Sequence, residues 1–480
     1  MKTATRTVRF GRAGIWLLSA LLLTGCGAAY SGEMRGALRR VGNRDYEGAL
    51  AKIEKPDGKT NKVLYRLERG LIFHYQGQYA RSNEEFEKAE TLIDELFARS
   101  VSREAAALLT NDAIRAYRGE EFERVMIHYY RALNYQYLGE PEEALVECRK
   151  ANLKLEDYAQ QAETKLTYRN DAFVQYVTGL FYQAAGEWND AYVSYRNAAK
   201  GYASYQSAFG VPMPRILAVD LARTAARLGF ADDREAAVTA HALTPEELAV
   251  GGAEVMVFAE SGFVARKHQY EISLPILEND DTGNVWVTSG HLVDRYHQGP
   301  IYRPARVKYW LRLALPEYRP IPSRVRSVRI TTGGQRTSGV LVEDLDAIAL
   351  KVLAEKQDEI LLRTGARALS KYLAAQGVEK LFERDEDRKS KDDELAWKGV
   401  GAFMGILANL FGSATEAADT RGWLSLPARI HMARVSLPPG VHDLTLEFLD
   451  ERGQTIEVHA FPGVTVTAGR PVFLSYRCYR

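Results

Sequence analysis

Cysteine is scarce in this chain. Its 480 residues hold three, at Cys26, Cys148 and Cys478, too few for a disulfide framework. Net charge is nearly absent. Lys and Arg number 63 against 62 Asp and Glu, a formal charge of +1, so electrostatics gives no case for nucleic acid. Long apolar runs are missing too, since none reaches the ~20 residues of a spanning helix. The chain contains no G-x-S-x-G, no Walker-type phosphate loop and no H-E-x-x-H, which leaves no reaction class signalled. The nine His scatter. The one gathering, His291, Asp294 and His297, has a spacing that does not set all three on one helix or strand face, so it is read as loop and not as a metal site. No catalytic residue, metal ligand or cofactor is therefore assigned. What remains is an ordinary globular composition, 46% hydrophobic and 26% charged, long enough for two to four domains.

A repeated grammar organises residues 64–199. Gly70, Phe73, Gly77, Ser82, Phe86 and Ala89 form one unit. Ala132, Tyr135, Gly139, Ala144, Cys148 and Ala151 form another, and Gly179, Tyr182, Gly186, Ala191, Tyr195 and Ala198 a third. Small residues let two helices approach, the middle Gly permits a tight turn, and large residues fill the space between. The pattern resembles the tetratricopeptide repeat, a helix–turn–helix unit of ~34 residues. Asp45 to Leu50 resembles the second helix of a degenerate first unit around Ala37, and Leu217 to Val238 a worn later one. The step from Gly70 to Ala132 is too long by nearly one unit, and an extra helix is placed at Ala105–Leu109.

The N-terminus has its own logic. Lys2, Arg6, Arg9 and Arg12 precede the apolar run Ile15–Leu23, and Leu23-Thr24-Gly25-Cys26 follows. This resembles the bacterial lipobox, in which the chain is cut before a diacylated Cys. Residues 1–25 are accordingly read as a signal peptide, Cys26 as the lipidation site and 26–43 as a lipidated tether. Loss of the four basic residues takes the formal charge from +1 to −3. By resemblance to lipoprotein sorting, Gly27 after the Cys points to the outer membrane of a Gram-negative cell. In that oxidising compartment Cys148 is read as a buried, inert thiol, and a bridge to Cys478 is left open.

Three stretches, Asn111–Tyr135, Val255–Leu274 and Ala418–Gly440, resemble an uncharacterised family of tetratricopeptide-bearing lipoproteins of Gram-negative bacteria. The resemblance implies architecture and attaches no enzymatic activity.

Seventeen of the 26 Tyr fall between Tyr46 and Tyr205. Core filling accounts for most. The first helix of each unit also faces a concave groove, and His74, Tyr75, Tyr129, Gln136, Tyr137, Tyr176 and Gln183 are read as its partner-binding residues. Tyr suits peptide binding because it offers apolar area and a hydroxyl at little rotamer cost.

Beyond Gly251 the character changes. The repeats are placed at 44–245, a β-rich region at 251–343, a helical insertion at 344–418 and C-terminal strands at 429–480. Glu254–Glu260 and Phe263–Lys267, joined by a turn at Ser261-Gly262, with Val307–Leu315, Val325–Thr331 and Gly339–Glu343, read as strands, and Asp344 as a helix cap. Trp397–Phe411, apolar with Gly401 and Gly405, favours a closely packed buried helix over one that touches membrane or a partner. After Arg429, Ile430–Leu437, His442–Leu449, Thr455–Ala460, Val464–Thr467 and Val472–Cys478 read as five strands, which suggest a small β-sandwich completed by the earlier strands. The fold class is thus α+β, helical repeats followed by a sandwich-like β-rich domain with a helical insertion. The function expected is that of a non-catalytic lipoprotein scaffold in the outer membrane, facing the periplasm. It would be held by its lipid and would bind an envelope or periplasmic protein through the repeats. The alternative is an envelope enzyme, or an accessory of one, acting on peptidoglycan or polysaccharide, which would need a cleft of acids or His in the β-rich half.

Overall fold

A Cβ on Gly179 would stand 2.4 Å from the ring of Tyr195, and one on Gly70 would stand 2.6 Å from Phe86. These contacts set how closely the helical pairs close. They come from a computed structural model that describes residues 26–53, 61–100, 116–160, 168, 170–249, 252–279, 285–287, 305–385 and 417–480. The signal peptide, the helix expected at Ala105–Leu109, the His291–His297 group and Trp397–Phe411 lie outside these residues.

The helices come in antiparallel pairs: α1 (Cys26–Gly42) with α2 (Tyr46–Ile53), α3 (Lys62–Tyr75) with α4 (Tyr79–Ser100), α5 (Glu121–Leu138) with α6 (Pro141–Gln160), α7 (Ala172–Ala185) with α8 (Trp188–Phe209), and α9 (Arg215–Leu228) with α10 (Ala231–His241). A one-turn α11 (Pro245–Leu248) closes the array. The turn glycines Gly139 and Gly186 end α5 and α7 with φ of 76° and 84°, the left-handed cap that a side chain would strain. The starts are fixed as firmly. Asp171 accepts from Val174 N at 2.8 Å, and Glu120 and Glu123 form a capping box.

Residues 26–43, expected as a tether, are helical instead. α1 buries Tyr30, Met34, Ala37, Leu38 and Val41, and the Tyr30 hydroxyl donates to Glu68 at 2.9 Å. Five apolar positions at i, i+4, i+7, i+8 and i+11 make one helical stripe, which is reason enough to pack.

The strands are β1 (Ala253–Ser261), β2 (Arg266–Asn279), β3 (Val285–Val287), β4 (Ala305–Arg319), β5 (Ser327–Thr332), β6 (Gln335–Ser338), β7 (Val340–Asp344), β8 (Arg429–Leu437), β9 (Gly440–Leu449), β10 (Thr455–Val466) and β11 (Val472–Cys478). One sheet runs β11-β1-β8-β7 and a second β10-β9-β5-β6. Both mix strands from before and after the long helix α12 (Leu345–Asp385). Val255, Val257 and Ala433 of the first sheet share a buried cluster with Ile330, Leu446 and Phe448 of the second. On its other face the first sheet sends Met256, Phe258, Ile430 and Met432 into the core of the helical pairs. Strand β1 is therefore covered on both faces, which explains its unbroken apolar run.

Two strand readings change. The strand expected just after Gly262 begins at Arg266 and joins a separate sheet, β3-β2-β4, which packs Ile276, Leu311 and Leu313 against Ala368 of α12. The runs at 455–460 and 464–467 are one strand, irregular between Phe461 and Val464. Asp344 caps α12 as expected, accepting from Ala347 N at 2.9 Å. Among the described residues no helix is long and apolar enough to cross a membrane.

Candidate functional site

The first helices α3, α5 and α7 carry the site residues read from the sequence, but the chain itself covers most of them. Tyr129 is 2% exposed and packs edge-on to Phe258 of β1, with 6.1 Å between centroids. Tyr176 is fully buried. Its hydroxyl donates to Asp220 at 2.7 Å and accepts from Arg434 of β8 at 3.0 Å. The half-buried Tyr75 hydroxyl donates to Glu260 of β1 and accepts from Arg477 of β11 at 2.6 Å. His74 is buried, with Nδ1 2.6 Å from Asn134 Oδ1. Burial, against that hydrogen bond, pushes its pKa down to about 4, so the ring is neutral and structural. Gln136, Tyr137 and Gln183 are half-buried at the helix ends. Tyr137 packs on Tyr79 at 4.8 Å, and Gln183 accepts from the Tyr195 hydroxyl at 2.7 Å. The groove as a set of free partner anchors is thus corrected. Its face was identified, but its occupant at Tyr75, Tyr129 and Tyr176 is the chain's own sheet. Burial inside the core outweighs display of those rings.

The segment between α12 and β8 adds a second occupant. Residues 420–428 carry no regular secondary structure, yet Arg421, Trp423, Leu424, Ser425 and Leu426 are each at most 3% exposed. The run turns at Trp423–Leu426, where Leu426 N donates to Trp423 O at 3.3 Å, and the repeats hold it by its backbone. Glu68 of α3 accepts from Leu424 N at 2.8 Å and Ser425 N at 3.2 Å. Glu123 of α5 accepts from Trp423 N at 2.7 Å and the Tyr117 hydroxyl at 2.5 Å. The Trp423 ring lies 5.5 Å from Phe86 and 6.1 Å from Tyr130. Arg421 pairs with Asp419 and lies over the Tyr117 ring at 5.4 Å. Buried backbone donors need partners, and here carboxylates supply them.

Burial works against the charged form of these acids. Burial raises Glu68 to about 7 against the hydrogen bonds that lower it, and raises Asp346 to about 7 and Asp171 to about 6. Glu123 and Glu260 are raised by burial as well. Glu343 is fully buried, neither of its oxygens has a partner among the described residues, and burial with Asp171 nearby lifts it well above the carboxylate range. The sequence reading missed Glu68 and Glu123. Glu68 stands four residues from both Leu64 and Ile72, an acid inside an apolar helical stripe, and that was the available signal.

One more cluster could suggest a metal. Ligand atoms of Glu90, His128 and Glu147 lie within 4.8 Å of one another. Arg131 bridges Glu90 at 2.7 Å and Glu147 at 3.1 Å, and Lys150 reaches both at 3.4 and 3.3 Å. Two cations already neutralise two carboxylates, so the group is an ionic tie among α4, α5 and α6. Glu120 makes a similar tie to the β-rich half. Burial would raise it, but Lys267 of β2 and Lys356 of α12 hold it far below its ordinary value.

Cys148 and Cys478 are buried and unpaired, and burial pushes both thiols up to about 12. Cys26 is the first residue of α1.

No protein-family model matches the chain, and no curated protein does. Solved structures share a stretch of helices. The apo form of RapI is 13% identical, over 48% of this chain and 57% of that one, with a TM-score of 0.33. Aspartyl phosphate phosphatase F from Bacillus subtilis is 14% identical, over 48% and 55%, with a TM-score of 0.31. PilW, described as a widely conserved type IV pilus biogenesis factor, is 17% identical, over 45% and 96%, with a TM-score of 0.21. The match spans little more than half the length of the first two. At these scores the likeness says nothing of what this chain binds.

Proposed function

We propose that the chain is a lipid-anchored scaffold of the outer membrane, facing the periplasm. In this reading it catalyses no reaction and docks an envelope or periplasmic protein on its helical repeats. The observation that carries the reading is the grip of Glu68 and Glu123 on the backbone of residues 423–425. Repeat helices that hold a turn of chain by its amides, with an aromatic anchor beside them, have the chemistry of peptide recognition. Because the chain's own segment occupies the deep part, the partner's contact falls to the half-buried rim at the helix ends. Tyr79, Gln136, Tyr137 and Gln183 lie there. The absence of catalysis is supported by the cover over Glu260, Glu343 and Asp346, acids of the β-rich half that are at most 6% exposed. The lipobox-like Leu23–Cys26 supports the anchor.

A photo-crosslinking amino acid at Tyr137 or Gln183, placed in living cells, tests the docking. The reading expects a discrete adduct with one envelope protein from the rim. Adducts only from Trp310 of β4, which is 53% exposed, would take the docking surface off the repeats.

A further inference from the structure

We propose that the outward face of α1, together with Arg266 of β2, lies directly on an anionic phospholipid surface. The inference rests on the acyl anchor proposed at Cys26, and its geometry comes from the helix that starts there.

α1 begins at Cys26 itself, so no slack chain separates the acyl group from the folded body. At 1.5 Å rise per residue, Arg35 stands about 14 Å and Arg39 about 20 Å along the axis from the anchor. The inward stripe of α1 is Tyr30, Met34, Ala37, Leu38 and Val41, and the outward side is Arg35, Gly36, Arg39 and Arg40. Arg40 is spent on Asp45. Arg35 and Arg39, one turn apart, carry no ion pair among the described residues. A Cβ on Gly36 would meet nothing within 4 Å among the described residues, so the helix is open there. The helix sequence holds three Arg and a single acid, Glu33.

Arg266 makes the patch more than a pair of surface charges. It is half-buried and its Nε has no hydrogen-bond partner. Its pKa is lowered, first by burial and then by the nearby charge of Arg35, while Glu68 acts the other way. Arg266 is therefore a half-buried cation in the electrostatic range of Arg35, with its Nε shut in the core. Guanidinium forks match phosphate oxygens, and an anionic bilayer attracts each such residue within a Debye length. A lipid at Cys26 would bring that surface to the start of α1.

The test uses the mature chain with Cys26→Ser, which cannot be acylated, and sedimentation with vesicles. Vesicles of phosphatidylcholine with 40 mol% phosphatidylglycerol should retain the protein, and phosphatidylcholine alone should not. R35E/R39E, with both sites exposed, should keep its circular dichroism and lower partitioning at least tenfold. R266Q should also weaken it. Equal retention on neutral vesicles, or unchanged partitioning of R35E/R39E, would overturn the proposal. Release by 10 mM inorganic phosphate, but not by sodium chloride of matched ionic strength, would mark a free-anion site and would overturn it too. Failure of the anchor itself is read separately, as no incorporation of labelled palmitate into the wild-type chain in cells.

Discussion

Arg477 on the last strand donates to the hydroxyl of Tyr75 on α3 at 2.6 Å, and Tyr75 in turn donates to Glu260 on β1. Arg477 is 2% exposed and also donates to the carbonyls of Gly262, Ser425 and Leu426. One guanidinium thus ties a helix, a strand and residues 420–428 together. Arg477→Met should leave Glu260 buried without its cation and cost ~3–5 kcal/mol. Arg480→Met, an exposed neighbour, should cost under ~1 kcal/mol. Urea unfolding followed by circular dichroism compares the two. Equal midpoints would show that the tie carries no stability.

Gly179 under the Tyr195 ring makes a second prediction. Gly179→Leu should destabilise by ~1–3 kcal/mol or more through overpacking, since even a Cβ would approach within 2.4 Å. Gly186→Ala tests a different cost at the next glycine, strain at φ 84° with nothing within 4 Å of the new methyl, and should be milder. Melting temperatures that rank the other way would contradict the close approach of α7 and α8.

The buried acids make stability depend on pH, with a definite sign. Glu68 and Asp346 sit at about 7 in the folded chain and Asp171 at about 6, against ordinary values of 4.5 for Glu and 3.8 for Asp. A raised group binds its proton more tightly when folded. Its contribution is complete below the ordinary value and is lost as pH rises through the folded one. Stability should fall between about pH 4.5 and 7, by an amount of order a few kcal/mol. Glu120 and Glu147, held low by Lys267, Lys356, His128 and Arg131 against burial, act oppositely and lose their contribution in stronger acid. Urea midpoints should therefore peak near about pH 4.5, and Glu68→Gln should flatten the decline above that. A midpoint that climbs from pH 5 to 8 would contradict the protonated interior.

The helical pairs were legible because Gly70, Ala132 and Gly179 mark close approach at a fixed offset from their turn glycines. The face carrying Tyr75, Tyr129 and Tyr176 was legible for the same reason. What covers that face was not, because pairing between Tyr129 and Phe258, or between Glu68 and Leu424, joins residues far apart in sequence and leaves no local period. The consequence is a reversal. Ala at Tyr129 and Tyr176, which would disable binding in an intact fold if the groove were open, should instead excavate the core at ~3–5 kcal/mol each. α1 was hidden by its position after the apparent signal sequence, although its stripe from Tyr30 to Val41 was there to read.

The central claim is that the concave face holds the chain's own residues 420–428. Backbone hydrogen exchange over that segment tests it most directly, since a run with no helix or strand ordinarily exchanges at once. The account predicts that the amides of Trp423, Leu424 and Ser425 exchange at least ~1,000-fold more slowly than an unstructured chain, in step with the strand β8 that follows. Exchange within seconds, with β8 still protected, would contradict it and leave the groove open.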